Sequence, residues 1–305
     1  MTGEPVDTLA ANRPDGTEAP LPPKAPGEEQ PGASEAAGPA VTQAKRRRRS
    51  PRRVLYGAAG LLLALAVWQV AAVVIGDPVT LPTLSQTVRE LVHYLTHPYP
   101  EVQGKTLVQD ALISTGRILA GFGLGTAVGL VLGAAMAGVR VIRELADPIL
   151  TVVRPLPPIA FIPLLVVWFG IGETSKVALL FFGVLPVITI ATLGALDAVP
   201  VELLHASRSL GASSFYTMVH VRLRAAVPGV ITGMRIAMGG AWTSIIAAEM
   251  IAATGGVGFL ILQAGNYLQT PLIFSGIIVI AVLGFAFDGL LRLLLRAADP
   301  TVRRS

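Results

Sequence analysis

Three residues in one apolar stretch have the types and spacing to handle a charged solute: Arg235, Trp242 and Glu249. At about 100° per residue, Trp242 and Glu249 return to within about 40° of Arg235, with Gly239 and Ile246 on the same stripe. One helix face thus carries a cation, a small gap, an aromatic and an anion. Arg235 lies about ten residues into its segment, about 15 Å along the axis, a depth at which ionisable groups are rare and costly. Two readings follow. Either the stripe lines a path for an anionic or zwitterionic solute, with Arg235 attracting its negative group, or Arg235 and Glu249 pair with other helices and serve assembly. Arg117 and Arg154 are similar but sit nearer segment ends, where long side chains can reach the interface.

Covalent chemistry finds no comparable support. Cysteine is absent, which removes disulfides, thiol nucleophiles and cysteine metal ligands. His93, His97, His205 and His220 include no tight ligand pair on an apolar segment, so neither a metal site nor a proton relay is indicated. Gly104-Lys105-Thr106 resembles the end of a phosphate-binding loop, but the earlier glycine that loop requires falls at Tyr99. The expectation is a chain with no catalytic residues, no metal and no cofactor of its own.

The elements that must position these residues are membrane spans. Among 305 residues, 52% are hydrophobic and only 14% charged, a balance outside that of soluble domains. The first 44 residues, rich in Pro, Gly, Ala, Glu and Thr, show no apolar period and cannot offset the entropy of ordering. Lys45 to Arg49, Arg52 and Arg53 then precede an apolar run from Val54 to Ile75. A basic run in that position anchors the cytoplasmic side of a retained first span rather than binding nucleic acid. Residues 1–53 are therefore expected to be a disordered, basic-ended cytoplasmic tail, and residues 54–298 an all-α integral membrane domain of six spans.

The five further spans are predicted at Val108 to Ala137, Ile149 to Phe169, Lys176 to Leu196, Ala225 to Ala253, and Leu272 to Leu295, each near the ~20 residues needed to cross. Arg140, Arg143, Arg208, Arg222, Arg224, Arg296, Arg303 and Arg304 fall on the side of the tail, against Arg89, Lys105 and Lys176 opposite. The loop from Thr254 to Pro271 has no Lys or Arg. The positive-inside rule then makes both termini and the loop around Gly211 cytoplasmic. Leu84, Val88, Leu91, Val92 and Leu95 form one apolar face of an outer helix near Pro82 to Tyr94, lying along the membrane or packing on the bundle. Gly121, Gly125, Gly129 and Gly133 strip one face of the second span of side chains, letting another backbone approach. Pro155, Pro157, Pro158 and Pro163 bend the third.

Between the fourth and fifth spans lies a polar, basic loop, residues 199–225, with small residues around Ala206 and a glycine at Gly211. It resembles the coupling loop of ATP-binding-cassette importer permeases. The resemblance extends over about residues 54–298 to permeases of the nitrate, sulfonate and taurine import family, nearest to taurine-type members. It rests on Arg154-Pro155-Leu156-Pro157-Pro158, Trp168-Phe169-Gly170-Ile171-Gly172-Glu173-Thr174-Ser175-Lys176, Ser209-Leu210-Gly211-Ala212-Ser213, Gly233-Met234-Arg235-Ile236-Ala237, and Ala247-Ala248-Glu249-Met250-Ile251-Ala252-Ala253-Thr254.

It implies a homodimer of six-span subunits in membrane lipid, two cytoplasmic ATPase subunits that bind ATP and Mg, and an extracytoplasmic solute-binding protein. No nucleic acid partner is implied. The implied cargo is taurine or another aliphatic sulfonate, with nitrate, bicarbonate or another small organic solute as the alternative. A secondary transporter would instead show inverted repeats and an intramembrane relay, and neither is detected.

Carried onto this chain, the coupling motif falls on Glu202, His205, Ala206, Arg208, Gly211 and Leu223. His205 stands where a glutamate is usual, Ser207 replaces an alanine and Arg224 replaces a proline. The added charge of Arg222 and Arg224 suggests an acidic rim on the partner ATPase.

Overall fold

The protein is described from a computed structural model covering residues 51–99 and 104–298, with backbone alone at 51–54. The tail expected over residues 1–53 lies almost wholly outside the described residues, as do Arg303 and Arg304. Every described element is helical: α1 Pro51–Ile75, α2 Leu84–Thr96, α3 Leu107–Gly138, α4 Arg140–Val153, α5 Ile162–Phe169, α6 Glu173–Asp197, α7 Val201–Ser209, α8 Ser214–Tyr216, α9 Leu223–Ala252, α10 Val257–Asn266 and α11 Thr270–Ala298.

Five helical stretches among the described residues are long and apolar enough to cross a membrane: α1, α3, α6, α8 running through α9, and α11. A sixth crossing is available only from a broken pair, α4 and α5, whose axes differ by 91°. The third span, expected over Ile149 to Phe169 and bent by its prolines, is thus a broken pair that begins earlier, at Arg140. Pro157 precedes Pro158 and is extended, with φ −66° and ψ 126°, and Pro155, Pro157 and Pro158 supply no backbone donor. The helix stops at Val153 and resumes through a single 3₁₀ turn at Pro158–Phe161. Arg140 and Arg143 consequently lie on a helix and not in a loop.

The loop expected from Thr254 to Pro271 is also corrected, since it contains α10, with Val257, Gly258, Leu260 and Ala264 buried. The expected start of the fifth span moves too. A π segment, Thr217–Arg222, joins α8 to α9 without a break.

The core is a three-helix layer of α3, α6 and α9. The glycine stripe explains its closest seam: a Cβ added at Gly121 would stand 2.3 Å from Leu180 Cβ, at Gly125 2.9 Å from Val184 Cβ, and at Gly129 2.9 Å from Ile188 Cβ. Residue numbers rise together along this seam, so α3 and α6 are parallel. On the other side, Gly233 faces Ala191 and Gly229 faces Ala195, which sets α9 antiparallel to α6. Trp242 packs edge-on against Phe287, fixing α11 against α9. Ile118, Leu180, Val184, Ile188, Met238, Trp242 and Ile245 close the centre.

Capping boxes at Thr83 with Gln86 and at Thr106 with Gln109 start α2 and α3 by satisfying orphan amides. α1 is almost wholly exposed. Its far end is held by Trp68 Nε1 donating to Pro82 O at 3.0 Å and by Gln69 Oε1 accepting from Leu84 N at 3.0 Å.

Candidate functional site

At the end of the bundle where α3 and α6 begin and α9 stops, a polar junction ties four elements together. Its centre is Glu249, which is fully enclosed. Ser114 Oγ donates to its two oxygens at 2.8 and 2.9 Å, Arg117 Nη1 donates at 2.7 Å, and Gly258 N donates at 2.9 Å. Arg117 also donates to both oxygens of Glu173 at 2.5 and 2.6 Å and to Gly255 O at 2.7 Å. This is the bidentate geometry that suits a guanidinium and a carboxylate.

The turn into α10 completes the junction. Gly256 N donates to Asp110 Oδ1 at 2.8 Å and Val257 N to Ser114 Oγ at 2.9 Å, so the leading amides of α10 meet two carboxylates and a hydroxyl. Gly256 has φ +107°, and a Cβ there would come within 2.4 Å of Glu249 Oε1. The backbone needs glycine at that position twice over, for conformation and for space. Tyr99 donates its hydroxyl to Asp110. Burial, with the Asp110 carboxylate beside it, holds the Tyr99 phenol well above its usual value, so it remains a donor.

At the opposite end lies the loop between α6 and α9. Glu202, His205, Ala206 and Arg208 are exposed on α7, and Leu223 is half-buried at the start of α9. Gly211 has φ +83° and ends α7: its amide donates to Arg208 O at 2.9 Å and the next amide, Ala212 N, to Ser207 O at 3.2 Å. That pairing is a Schellman motif, which favours glycine at its left-handed position. The turn projects Leu210 and Phe215, 89% and 79% exposed, into solvent. Arg224 is exposed, but Arg222 turns inward to bond the ends of α3 and α6. The expectation that both arginines face a partner is therefore corrected for Arg222.

The stripe on α9 places Arg235, Trp242 and Glu249 on one face, and each has a neighbour within the chain. Arg235 Nε donates to Asp288 Oδ1 of α11 at 2.7 Å, and Arg292 also holds Asp288, at 2.6 Å. Trp242 is buried against Phe287, and Glu249 sits in the junction above.

A different face of α9 borders a cavity of about 720 Å³ between the α4–α5 break, α6 and α9. Pro157, Pro158, Trp168, Phe182 and Ile236 make it apolar, with Arg154, Thr243 and Ser244 its polar wall residues. The proline bend thus does stand beside an open volume.

The geometry has counterparts in known proteins. Residues 125–300 match the family model described as "Binding-protein-dependent transport system inner membrane component". The chain belongs to this family. It is 36% identical over 251 residues to the taurine transport system permease protein TauC of Escherichia coli strain K12, covering 82% of this chain and 90% of that protein. It is 35% identical over 267 residues to a putative aliphatic sulfonates transport permease, SsuC of Bacillus subtilis strain 168, covering 84% and 92%. Against the nitrate import permease NrtB of Synechococcus elongatus it is 28% identical over 248 residues, covering 80% and 89%.

A solved inward-facing structure of the MetNI methionine ABC transporter shares the fold. Its TM-score is 0.55 at 22% identity, over 63% of this chain and 96% of the solved one. The chain is an inner-membrane permease component of a binding-protein-dependent transport system and not an enzyme.

Residue-by-residue reading missed Glu173 as a partner of Arg117, Ser114 as a partner of Glu249, and Asp110 as the acceptor for Gly256 N and Tyr99. The usable signal was Thr254-Gly255-Gly256-Val257-Gly258 following Glu249, since glycines so clustered mark backbone approaching polar groups closely.

Proposed function

We propose that this chain is the membrane-spanning subunit of an ATP-driven importer for taurine or another aliphatic sulfonate. It acts as a homodimer with two cytoplasmic ATPase subunits, which bind ATP and Mg, and an external solute-binding protein. The observation that carries the reading is the exposed loop of α7 and α8, built on the Gly211 turn and seated where α3, α6 and α9 meet. A short rigid helix in that position can move several spans when a docked ATPase moves it. Sulfonate is preferred to nitrate because the relatives named for taurine and sulfonates are more similar than the one named for nitrate.

The inner end is taken as the one carrying Arg140, Arg143, Arg208, Arg222, Arg224 and Arg296, which places both termini and the coupling loop in the cytoplasm. Solute is proposed to pass beside the α4–α5 break, where the Arg154 side chain borders the cavity with no ion pair among the described residues and can attract an anion. The α9 stripe is assigned to assembly, because Arg235 and Glu249 are held by charged partners from α11 and α3.

Proteoliposomes holding the permease, its ATPase and its binding protein test this directly. Uptake of labelled taurine or an alkanesulfonate that requires internal ATP supports the proposal; uptake independent of the ATPase overturns it. An impermeant thiol reagent applied outside should label Thr254→Cys and not Ser213→Cys in intact cells; labelling of both overturns the orientation.

A further inference from the structure

Arg222 is the last residue of the π segment, immediately before α9. Its guanidinium makes three bonds to two other spans: Nε to Leu196 O at 3.0 Å, Nη1 to Ala137 O at 3.1 Å, and Nη2 to Asp197 Oδ1 at 3.0 Å. Ala137 and Leu196 lie in the last turns of α3 and α6, where the helix dipole favours a cation; Leu196 O also accepts from Val199 N at 3.4 Å, and the guanidinium adds a second donor there. One planar fork thus closes two helix ends at once, which a compact ammonium cannot do. Asp197 in turn accepts from Arg143 of α4 at 2.8 Å, and α4 leads to the break that borders the large cavity.

The loop attached to Arg222 is built to move as a piece. Ser207 and Thr217, both buried, are hydrogen-bonded at 3.0 Å and join α7 to the π segment. Leu204, Met218 and Leu223 pack on Leu196, Val199 and Ala226 beneath them. Without Arg222 the loop's covalent continuation is α9 on one side and α6, through Ala198 to Pro200, on the other. Nothing covalent there connects it to α3.

We propose that Arg222 is a positioning residue that clamps the coupling loop to the inner ends of α3 and α6, so that displacement of the loop is delivered to the bundle as a unit. This rests on the importer reading above, and it assigns Arg222 an internal role rather than contact with the ATPase. Its signature is a split between two activities: ATP hydrolysis persists while solute movement per ATP falls.

The test uses the reconstituted complex of permease, ATPase and binding protein, measuring taurine or alkanesulfonate uptake and ATP hydrolysis in the same vesicles. For Arg222→Gln, assembly and hydrolysis should stay near those of the unmodified protein while uptake per ATP falls about tenfold, the scale of losing bonds between a charged group and its acceptors. Asp197→Asn, which spares the two carbonyl bonds, should lower the ratio less. If Arg222→Gln does not yield a folded, membrane-inserted permease, Arg222→Lys decides on the same ratio, because it keeps the charge but not the fork.

An unchanged ratio in the assembled variant overturns the proposal. So does loss of uptake that tracks loss of ATPase co-purification, which would make Arg222 a docking residue. Absence of ATP-dependent uptake by the unmodified protein would instead overturn the importer reading itself.

Discussion

Arg117 Nη1 lies 2.7 Å from Glu249 Oε1, and the two side chains are 5% and 0% exposed. Neither charge has water to fall back on, so each depends on the other and on the surrounding donors. Removing one partner of such a pair costs about 3–5 kcal/mol where the other charge is stranded; with Glu249 removed Arg117 keeps its two bonds to Glu173, and the loss falls on Ser114 and the Gly258 amide, about 1–3 kcal/mol for each buried group left unsatisfied. Glu249→Ala should therefore sharply lower the thermal stability of the purified permease, while Glu249→Gln, which keeps the shape and some hydrogen bonds, should lower it less. Detergent-solubilised protein followed by a melting assay checks both. Equal melting temperatures for Glu249→Ala and the unmodified protein would show that the junction does not hold that end of the bundle together.

The seam between α3 and α6 makes a sharper comparison. Gly121 has Leu180 Cβ where its own Cβ would be, while Gly123, two residues on, has nothing within 4 Å. Gly121→Ala should cost about 1–3 kcal/mol, the usual price of forcing an extra carbon into packed structure. Gly123→Ala should be neutral or slightly stabilising, as alanine is the better helix former. Folded yield and melting temperature of the two variants, prepared side by side, decide it.

The glycine stripe and the α9 stripe were readable because helical periodicity is a local property: residues four or seven apart share a face whatever packs on them. The partners were not readable. Glu249 finds Arg117 132 positions away and Ser114 135 positions away, and no local pattern specifies which distant helix supplies the donor. The break between α4 and α5 was half legible. Four prolines announce a bend, but not the 91° angle, nor that the first half begins as far back as Arg140. α10 was hidden because ten residues are too few to register as a span, and its burial depends on the Asp110 and Glu249 carboxylates that receive its first turn.

Gly211 permits a prediction about the loop alone. With φ +83° and open space around it, a side chain there meets no neighbour but must adopt a left-handed backbone, which costs a β-branched residue about 1–2 kcal/mol. Gly211→Val should shift the Leu210–Phe215 turn, abolish transport and leave membrane insertion and subunit stability intact. Normal uptake together with normal ATPase co-purification would remove the loop from the coupling surface.

Arg235 separates the two readings of the α9 stripe. It donates to Asp288, which Arg292 also holds, so one carboxylate sits between two guanidinium groups. Arg235→Gln deletes a charge but leaves Asp288 its second partner. The cost to assembly should therefore be smaller than at Glu249, because this pair is open to solvent and screened. Asp288→Asn is the harsher change, because it leaves Arg235 and Arg292 facing each other without a counter-ion; adding Arg235→Gln to it should recover much of the lost yield. If the stripe serves assembly, uptake per assembled complex stays the same in Arg235→Gln while yield drops. If uptake per complex falls with yield unchanged, the arginine touches the solute, and the assignment of this face to assembly is wrong.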